Sequence, residues 1–319
     1  MIKYRTNLPQ LSGGLFLTDG GMETTFIFHD GIDLNHFAAI DLLNEVSGYE
    51  TLLKYYKTYI DIAKKNHAGF VLESATWRAS RDWGEKLGYT EGNLSRLNKL
   101  AIKVLEELRD EHESAQTPMV ISGCVGPRGD GYSPDNFMSA DEAERYHREQ
   151  IKTFSETSAD MISAMTMTYA EEAIGIVNAA TSVDMPVVIS FTVETDGRLP
   201  SGQSLQQAIE QVDAETDFAV AYYMVNCAHP THFEHTFSTG SDWLQRIKGI
   251  RANASAKSHA ELDEMEELDD GNPEEFGSQY QAFRKNLQQL NVLGGCCGTD
   301  HRHIEAICNV DTVAIQNYC

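Results

Sequence analysis

Two adjacent cysteines near the end of the chain, Cys296 and Cys297, are the residues best suited to carry chemistry. They lie in residues 294–298, which read Gly-Gly-Cys-Cys-Gly after a short apolar run. Adjacent cysteines rarely form a disulfide with each other, because neighbouring side chains on an extended chain point in opposite directions. Flanking glycines let the backbone fold tightly, so that both thiolates could bind one metal ion.

The best source of a third ligand is Cys227, which ends another strand-like run. This run covers residues 218–227, and Pro230 prevents it from continuing. Three thiolates at two strand ends, with a fourth position open, are typical of a catalytic zinc rather than a structural one. The pattern therefore predicts a zinc site made of Cys227, Cys296 and Cys297.

Other interpretations of the cysteines stay open. Cysteine is among the most buried residue types, so Cys227 taken alone could be a small core residue. Cys296 and Cys297 could form a redox pair, although the thioredoxin-type motif has two residues between its cysteines. The flanking glycines favour the metal site, since we expect no packing role for them. Cys308 and Cys319 follow no ligand pattern, and we expect a core residue and a tail residue.

The charge of the chain argues against several classes of partner. Its 25 lysines and arginines against 48 aspartates and glutamates give a formal net charge of −23, which repels nucleic acids and anionic membranes. The six cysteines are too sparse for a small secreted disulfide scaffold, and the N-terminus lacks the apolar segment of a signal peptide. No later apolar run approaches membrane-spanning length. We therefore expect a soluble, cytoplasmic protein without nucleic acid or membrane partners.

Strand-like and helix-like segments alternate along the 319 residues. Most strands look apolar on both faces, which is the pattern of a parallel sheet covered by helices. Strands are predicted at residues 14–18, 69–74, 119–124, 161–165, 186–192, 218–227 and 246–252, and from Val292. Helices are predicted at residues 47–66, 94–113, 139–158, 170–180, 204–213 and 272–290 and from near His303, with capping boxes at Ser47, Ser139 and Ser204. Eight such units predict a single (β/α)8 barrel domain spanning residues 1–319.

The active site of such a barrel lies at the C-terminal ends of its strands. Asp19, Thr76, Asn253 and the three cysteines fall there or just beyond, so the fold would bring together residues that are far apart in sequence. Gly20 and Gly21 follow Asp19, which places a carboxylate and exposed backbone N–H groups at the end of the first strand. An ordinary Asp-Gly turn is the alternative.

Neither the acidic stretch near residue 265 nor the histidines near the cysteines is expected to take part in the reaction. The acidic stretch 261–270 is expected to be a solvated loop or exposed face, and a lid over the site is the alternative. His229, His301 and His303 could be substitute metal ligands, but solvent-facing positions are expected for them.

With these residues in place, the chain resembles the homocysteine S-methyltransferase family. That family includes S-methylmethionine- and betaine-dependent enzymes and the N-terminal module of cobalamin-dependent methionine synthase. The resemblance covers nearly the whole chain. The motifs on which it rests are residues 19–21, 76–80, 126–127, 129–130, 190–192, 197–199, 225–227 and 294–298. The combination of Cys227 with the Gly-Gly-Cys-Cys-Gly segment is highly specific.

The resemblance implies a barrel in which the three cysteines hold zinc as cofactor. It implies that Asp19 and Thr76 lie near the amino-acid part of the substrate thiol, and Gly20 and Asn226 in the matching motifs are also assigned to substrate binding. The implied reaction moves a methyl group from a sulfonium or ammonium donor to homocysteine and gives methionine. The donor would be S-methylmethionine, S-adenosylmethionine or a betaine-like compound. A homodimer is one expectation for the oligomeric state.

Two departures from the family pattern concern the substrate. Met165 stands where the family usually has a glutamate that holds the amino group of the substrate, and Arg251 stands where the family often has tyrosine. Either Asp19 or Glu73 takes over the ammonium contact, or the acceptor is a different small thiol or selenol. A zinc-binding barrel without catalysis is the remaining alternative.

Overall fold

Within the described residues, eight parallel strands close into one barrel. The structure is a computed structural model that describes residues 2–134, 136–265 and 267–316, so Cys319 lies outside it. Each strand pairs with its neighbours in chain order, and β8 closes on β1. The predicted (β/α)8 barrel is confirmed, while the extent of the domain over residues 1–319 stays a prediction. The strands are β1 Phe16–Leu17, β2 Gly69–Glu73, β3 Met119–Val125, β4 Met161–Met167, β5 Val187–Phe191, β6 Val220–Asn226, β7 Ile247–Ala252 and β8 Val292–Gly295.

Helices cover the outside of the barrel and connect consecutive strands. No helix in the described ranges combines the length and the apolar character needed to cross a bilayer. Their bounds are α1 Met22–Thr24, α2 Val46–Lys65, α3 Arg81–Lys86, α4 Glu91–His112, α5 Ala140–Ser155, α6 Ala170–Thr181, α7 Leu205–Glu215, α8 Pro230–Phe237, α9 His259–Asp263, α10 Pro273–Asn286 and α11 His301–Gln316.

Alternate strand residues divide between the barrel interior and the layer beneath the helices. Phe70 and Leu72 of β2 pack outward in the large core under the helices, whereas Val71 packs in the interior cluster. One step further toward the C-terminal end, the interior residues become polar. These buried polar residues are Glu73, Ser122, Ser163, Ser190, Asn226 and Arg251.

The N-termini of the helices confirm two of the three predicted capping boxes. Ser139 and Ser204 form the predicted capping boxes of α5 and α7. The predicted box at Ser47 is wrong, because α2 already begins at Val46, directly after the extended residue Glu45. Apolar periodicity located this helix correctly, but a serine followed three residues later by glutamate also occurs inside helices.

Candidate active site

The three predicted ligands meet at the C-terminal end of the barrel. Cys227 follows β6, while Cys296 and Cys297 follow β8, two strands further around the sheet. Their Sγ atoms all lie within 4.8 Å of one another, and those of Cys227 and Cys297 are 4.0 Å apart. Thiolates on a tetrahedral zinc, with Zn–S bonds of about 2.3 Å, are about 3.8 Å apart. The cluster therefore has the donor set, and nearly the spacing, of a three-thiolate metal site.

Close packing explains the glycines that precede the cysteines. A Cβ at Gly294 would collide with Thr18 Oγ1, and a Cβ at Gly295 would collide with the side chain of Thr299. Gly298 has a φ of +78°, a left-handed conformation that favours glycine. The glycines therefore have the packing role that the sequence did not suggest, because they let β8 and the following turn approach their neighbours closely.

Cys227 and Thr166 adopt left-handed backbone conformations, with φ of +54° and +65°. Such conformations are costly for residues other than glycine and persist where the surroundings fix them. Asn226 provides this restraint, since its Oδ1 accepts from the Thr166 N–H at 2.9 Å and from the Ser190 hydroxyl at 2.6 Å. Its Nδ2 donates to Thr166 Oγ1 at 2.8 Å. Asn226 thus joins the ends of β4, β5 and β6 beside Cys227, and its role in substrate binding stays a prediction.

The three thiols differ in their pKa values. Hydrogen bonds with Cys227 and Cys297 hold the pKa of Cys296 well below the usual value of a thiol. The hydrogen bond to Cys296 is the main cause that raises the pKa of Cys227, and contacts with Cys227 and Cys296 raise the pKa of Cys297. One thiolate is therefore stabilised by its two neighbours. A divalent cation would favour ionisation of all three.

The thiols open into a cavity of about 390 Å³ above the barrel interior. Small-molecule sites are concave, largely apolar cavities with a few well-placed polar groups, and this cavity has that character. Buried polar side chains from the strands form its floor. The side chains that line its walls include the aromatic residues Phe28, Phe37, Trp77 and Tyr132 and the acids Glu23, Asp130, Glu267 and Asp269.

The acidic stretch 261–270 contributes to this cavity. Leu262, Met265 and Leu268 line the cavity and are only partly exposed, whereas Glu261 is exposed. The expectation of a solvated loop or exposed face fits Glu261, Glu264 and Glu267, which are exposed, but not the three apolar residues, which line the cavity. The segment therefore forms part of the cavity wall, and its role as a lid stays a prediction.

A buried ion network lies at the floor of the cavity. Arg251 Nη2 donates to Asp19 Oδ1 at 2.6 Å, and Arg251 Nη1 lies 3.8 Å from Glu73 Oε2. Asp19 Oδ2 also accepts from the Tyr55 hydroxyl at 3.0 Å. Burial raises the pKa of Asp19, and the charge of Arg251 opposes that shift. The two acids considered for the ammonium contact therefore share a cation that belongs to the protein.

The remaining predicted site residues differ in their access to the cavity. Gly20 lines the cavity beside Asp19. Thr76 is fully buried behind the wall, where its hydroxyl donates to the Cys124 carbonyl at 2.7 Å. Asn253 is also buried, and its N–H donates to the Ala228 carbonyl at 3.0 Å. The roles of Gly20 and Thr76 in substrate binding stay predictions.

The histidines near the cysteines have local partners. His229 caps α8 by accepting from the Thr231 N–H at 3.3 Å, and His303 Nε2 lies 2.9 Å from the Asp270 carbonyl. The expected solvent-facing position is confirmed for His301, which is exposed at the start of α11, and is wrong for His229 and His303, which are buried.

Sequence reasoning missed two aromatic residues beside the thiols. The Tyr132 hydroxyl lies 3.6 Å from Cys297 Sγ, and its ring stacks on His259 with centroids 3.9 Å apart. His259 Nε2 lies 2.6 Å from the Cys227 carbonyl oxygen. Tyr132 directly follows the glycine-rich loop at residues 126–131 after β3, and that position was the available signal.

Comparison with known proteins places this arrangement in a family. Residues 16–310 match the family model described as Homocysteine S-methyltransferase. The chain belongs to the homocysteine S-methyltransferase family. The predicted family and the predicted class of enzyme, a thiol methyltransferase, are thereby confirmed.

Relatives within the homocysteine S-methyltransferase family match over almost the whole chain. Homocysteine S-methyltransferase 1 from Brassica oleracea var. italica is 23% identical, with 94% of each chain covered. Selenocysteine Se-methyltransferase from the same plant is 24% identical, covering 93% of this chain and 88% of the relative. The homocysteine methyltransferase MmuM from Escherichia coli, in its oxidised form, has a TM-score of 0.74 at 18% identity, covering 96% of this chain and 99% of that one. Its likeness establishes the shared fold.

Proposed function

We propose that this member of the family is a zinc-dependent methyltransferase. It moves a methyl group from a sulfonium or ammonium donor, such as S-methylmethionine, S-adenosylmethionine or a betaine-like compound, to homocysteine and gives methionine. The observation that carries the proposal is the cluster of Cys227, Cys296 and Cys297, which opens into the cavity. The family match supports the acceptor and the reaction class.

The three cysteines fit zinc in donor type and approximate spacing. Zinc held there would offer an open position at which a substrate thiol loses its proton at neutral pH. No general base is then required of the chain. Its residues have to place the methyl carbon of the donor in line with the acceptor sulfur and exclude water, and positioning of this kind supplies a large part of the acceleration. Leu262, Met265 and Leu268 provide an apolar cover for that purpose.

The residues that line the cavity walls suit a cationic donor that also carries a carboxylate. Phe28, Phe37 and Trp77 supply aromatic surface, which attracts cations, and Glu23 adds a carboxyl group. The Arg78 guanidinium lies 5.0 Å from the centre of the Trp77 ring and lines the same wall, where it could bind a carboxylate. A sulfonium or quaternary ammonium donor becomes neutral when its methyl group leaves. This wall would therefore hold the donor more strongly than the demethylated product.

Metal content and methyl transfer, measured together on anaerobically purified protein, test the proposal. We expect one zinc per chain and methylation of homocysteine by at least one donor among S-methylmethionine, S-adenosylmethionine and betaine. Absence of zinc under reducing conditions would contradict the proposed three-cysteine zinc site. Zinc without turnover would shift it to other acceptors or to a non-catalytic zinc-binding barrel.

A second acceptor class has its own support. Met165 is buried in the cavity wall, and an apolar side chain there leaves β4 without an acid to bind an ammonium group. A relative that covers nearly the whole chain bears the name selenocysteine Se-methyltransferase. Methyl transfer to another small thiol or to a selenol is therefore the second candidate, and assays with selenocysteine and simple thiols distinguish it.

The affinity for the donor should depend on the ionisation of Glu23. Burial raises the pKa of Glu23 to about 7, with smaller contributions from Cys296 and Asp19. This carboxyl is neutral below that pH and negatively charged above it, so cation binding should strengthen as the pH rises. We expect KM for S-methylmethionine to fall about fivefold between pH 6 and pH 8, as for one carboxylate charge acting across a partly solvated cavity.

The Glu23→Gln variant isolates this effect. Its KM for the donor should stay near the value of the wild-type enzyme at pH 6 and lose most of the pH dependence. The exposed Glu50 on α2 offers a matched control, and Glu50→Gln should keep the wild-type profile. An unchanged profile in Glu23→Gln would show that another group controls donor binding.

A further inference from the structure

The imidazole of His259 links the cysteine cluster to neighbouring loops. His259 begins α9, which follows β7, and it is 5% exposed. Its Nε2 lies 2.6 Å from the Cys227 carbonyl oxygen, and its Nδ1 lies 3.0 Å from Glu194 Oε1. Because a carbonyl oxygen can only accept, Nε2 is the donor in the first contact. His259 therefore donates a hydrogen bond to the backbone of a predicted metal ligand.

The backbone of Cys227 needs such support. Its φ of +54° is left-handed, a conformation that is costly for residues other than glycine. The Cys227 N–H donates to the Arg251 carbonyl at 3.1 Å, and the Cys227 carbonyl accepts from His259 and, at 3.3 Å, from the Thr192 hydroxyl. Peptide groups are planar, so holding the groups on both sides of Cys227 fixes φ and ψ and with them the direction of its side chain. The short contact with His259 therefore helps to aim the Cys227 thiol at the cluster.

The His259 ring is itself held in place. Glu194 contacts one edge of the ring, and the face of the ring stacks on Tyr132, with centroids 3.9 Å apart and planes inclined by 16°. The Tyr132 hydroxyl in turn lies 3.6 Å from Cys297 Sγ. A capping box at Ser258 fixes the start of α9, from which the side chain of His259 extends. A ring held by these contacts can restrain the backbone to which it donates.

The contacts of His259 indicate orientation of a ligand rather than metal binding. Both of its ring nitrogens already lie within hydrogen-bonding distance of oxygen atoms, so neither is available to a metal ion in this arrangement. Side chains around metal sites commonly hydrogen-bond to the ligands and hold them in the geometry that the metal requires.

We propose that His259 is a positioning residue of the metal site, which holds Cys227 through its carbonyl oxygen in the orientation that binds zinc. This assignment rests on the proposed function, which supplies the metal. It also connects the metal site to the cavity wall, because α9 leads into the stretch 261–270, where Leu262, Met265 and Leu268 line the cavity.

Two variants of His259 separate its hydrogen bond from its ring. His259→Gln keeps an N–H donor but loses the ring, whereas His259→Phe keeps a ring that can stack on Tyr132 but loses the donor. In anaerobic competition with a chelator, zinc affinity should fall about tenfold in His259→Phe and stay within about twofold of the wild-type value in His259→Gln. Equal losses in the two variants, or wild-type affinity in His259→Phe, would overturn the assignment.

His232 on α8 offers a matched control. Its Nε2 lies 3.0 Å from the Ala256 carbonyl, so it makes the same kind of contact with a residue that is not a predicted ligand. His232→Phe should therefore keep the zinc affinity of the wild-type protein. A loss equal to that of His259→Phe would show that the effect is not specific to the Cys227 carbonyl, and the assignment would fall.

Crystal structures of the two metal-free His259 variants separate this assignment from the proposed function. Cys227 should leave the left-handed region in His259→Phe and keep it in His259→Gln, and neither result requires zinc or turnover. A left-handed Cys227 in His259→Phe would overturn the assignment even if the wild-type protein binds zinc and transfers methyl groups. A wild-type protein that binds no zinc would instead contradict the proposed function.

Discussion

Replacing Cys227 by alanine should abolish zinc binding and methyl transfer together. The Cys227 thiol lies 4.0 Å from that of Cys297, and it is the one ligand that comes from outside the Cys296–Cys297 turn. Two adjacent cysteines alone leave half of a tetrahedral shell open. We expect zinc to fall from one equivalent to background and kcat/KM to fall at least about a thousandfold, which is a change of about 4 kcal/mol in transition-state stabilisation.

A matched variant separates this effect from the general cost of removing a buried cysteine. Cys308 is 5% exposed on α11 and lies outside the cluster. Cys308→Ala should keep one zinc per chain and the activity of the wild-type enzyme. Methyl transfer that survives in Cys227→Ala would contradict the three-cysteine zinc site.

The metal cluster could be predicted because its members carry local signals. Cys296 and Cys297 lie between glycines, and Cys227 ends an apolar run that Pro230 stops. Barrel topology then places the ends of parallel strands on one face, so the three thiols are expected to meet there. The left-handed conformation of Cys227, with φ of +54°, carries no sequence signal, because it depends on hydrogen bonds between three strand ends.

The ion network at the cavity floor could not be predicted in the same way. Arg251 on β7 reaches Asp19 after β1 across the intervening strand β8. Gly294, which pairs with Arg251 in the sheet, has no side chain, and the Gly295 carbonyl accepts from Arg251. The sequence marked Arg251 as a departure from the family pattern. Its partners depend on strand register and barrel closure, which a linear pattern does not specify.

The fold was predictable to within a few residues at most strand ends. Apolar runs identified all eight strands, but β1 is Phe16–Leu17 rather than residues 14–18, and β4 continues to Met167. Hydrophobic runs report burial, whereas strand ends depend on pairing with neighbours. In the stretch 261–270 the charge run predicted the exposed acids, but not the three apolar residues that line the cavity, because the acids outnumber them.

The second large effect is expected far from the thiols, at Asp160 just before β4. Asp160 is fully buried, and its Oδ1 accepts from the Lys3 and Tyr4 N–H groups at 3.1 Å and 2.8 Å. Its Oδ2 accepts from Arg109 Nη1 at 2.7 Å and from the Ile121 N–H at 2.9 Å. Asp160 thus connects the N-terminal segment and α4 to β3 through hydrogen bonds. Asp160→Ala should lower the free energy of unfolding by about 3–5 kcal/mol, because it removes a buried carboxylate that accepts four hydrogen bonds, one of them from the buried Arg109 guanidinium.

Urea unfolding at fixed zinc and protein concentrations measures this loss. Asp160→Asn keeps the shape and one carbonyl acceptor, so its loss should be smaller, about 2 kcal/mol. Asp61 pairs with Lys57 on the surface of α2, where both side chains are more than half exposed, at 56% and 54%. Asp61→Ala should therefore cost less than about 1 kcal/mol. Equal losses in Asp160→Ala and Asp61→Ala would show that the Asp160 network stabilises the barrel no more than an exposed ion pair does.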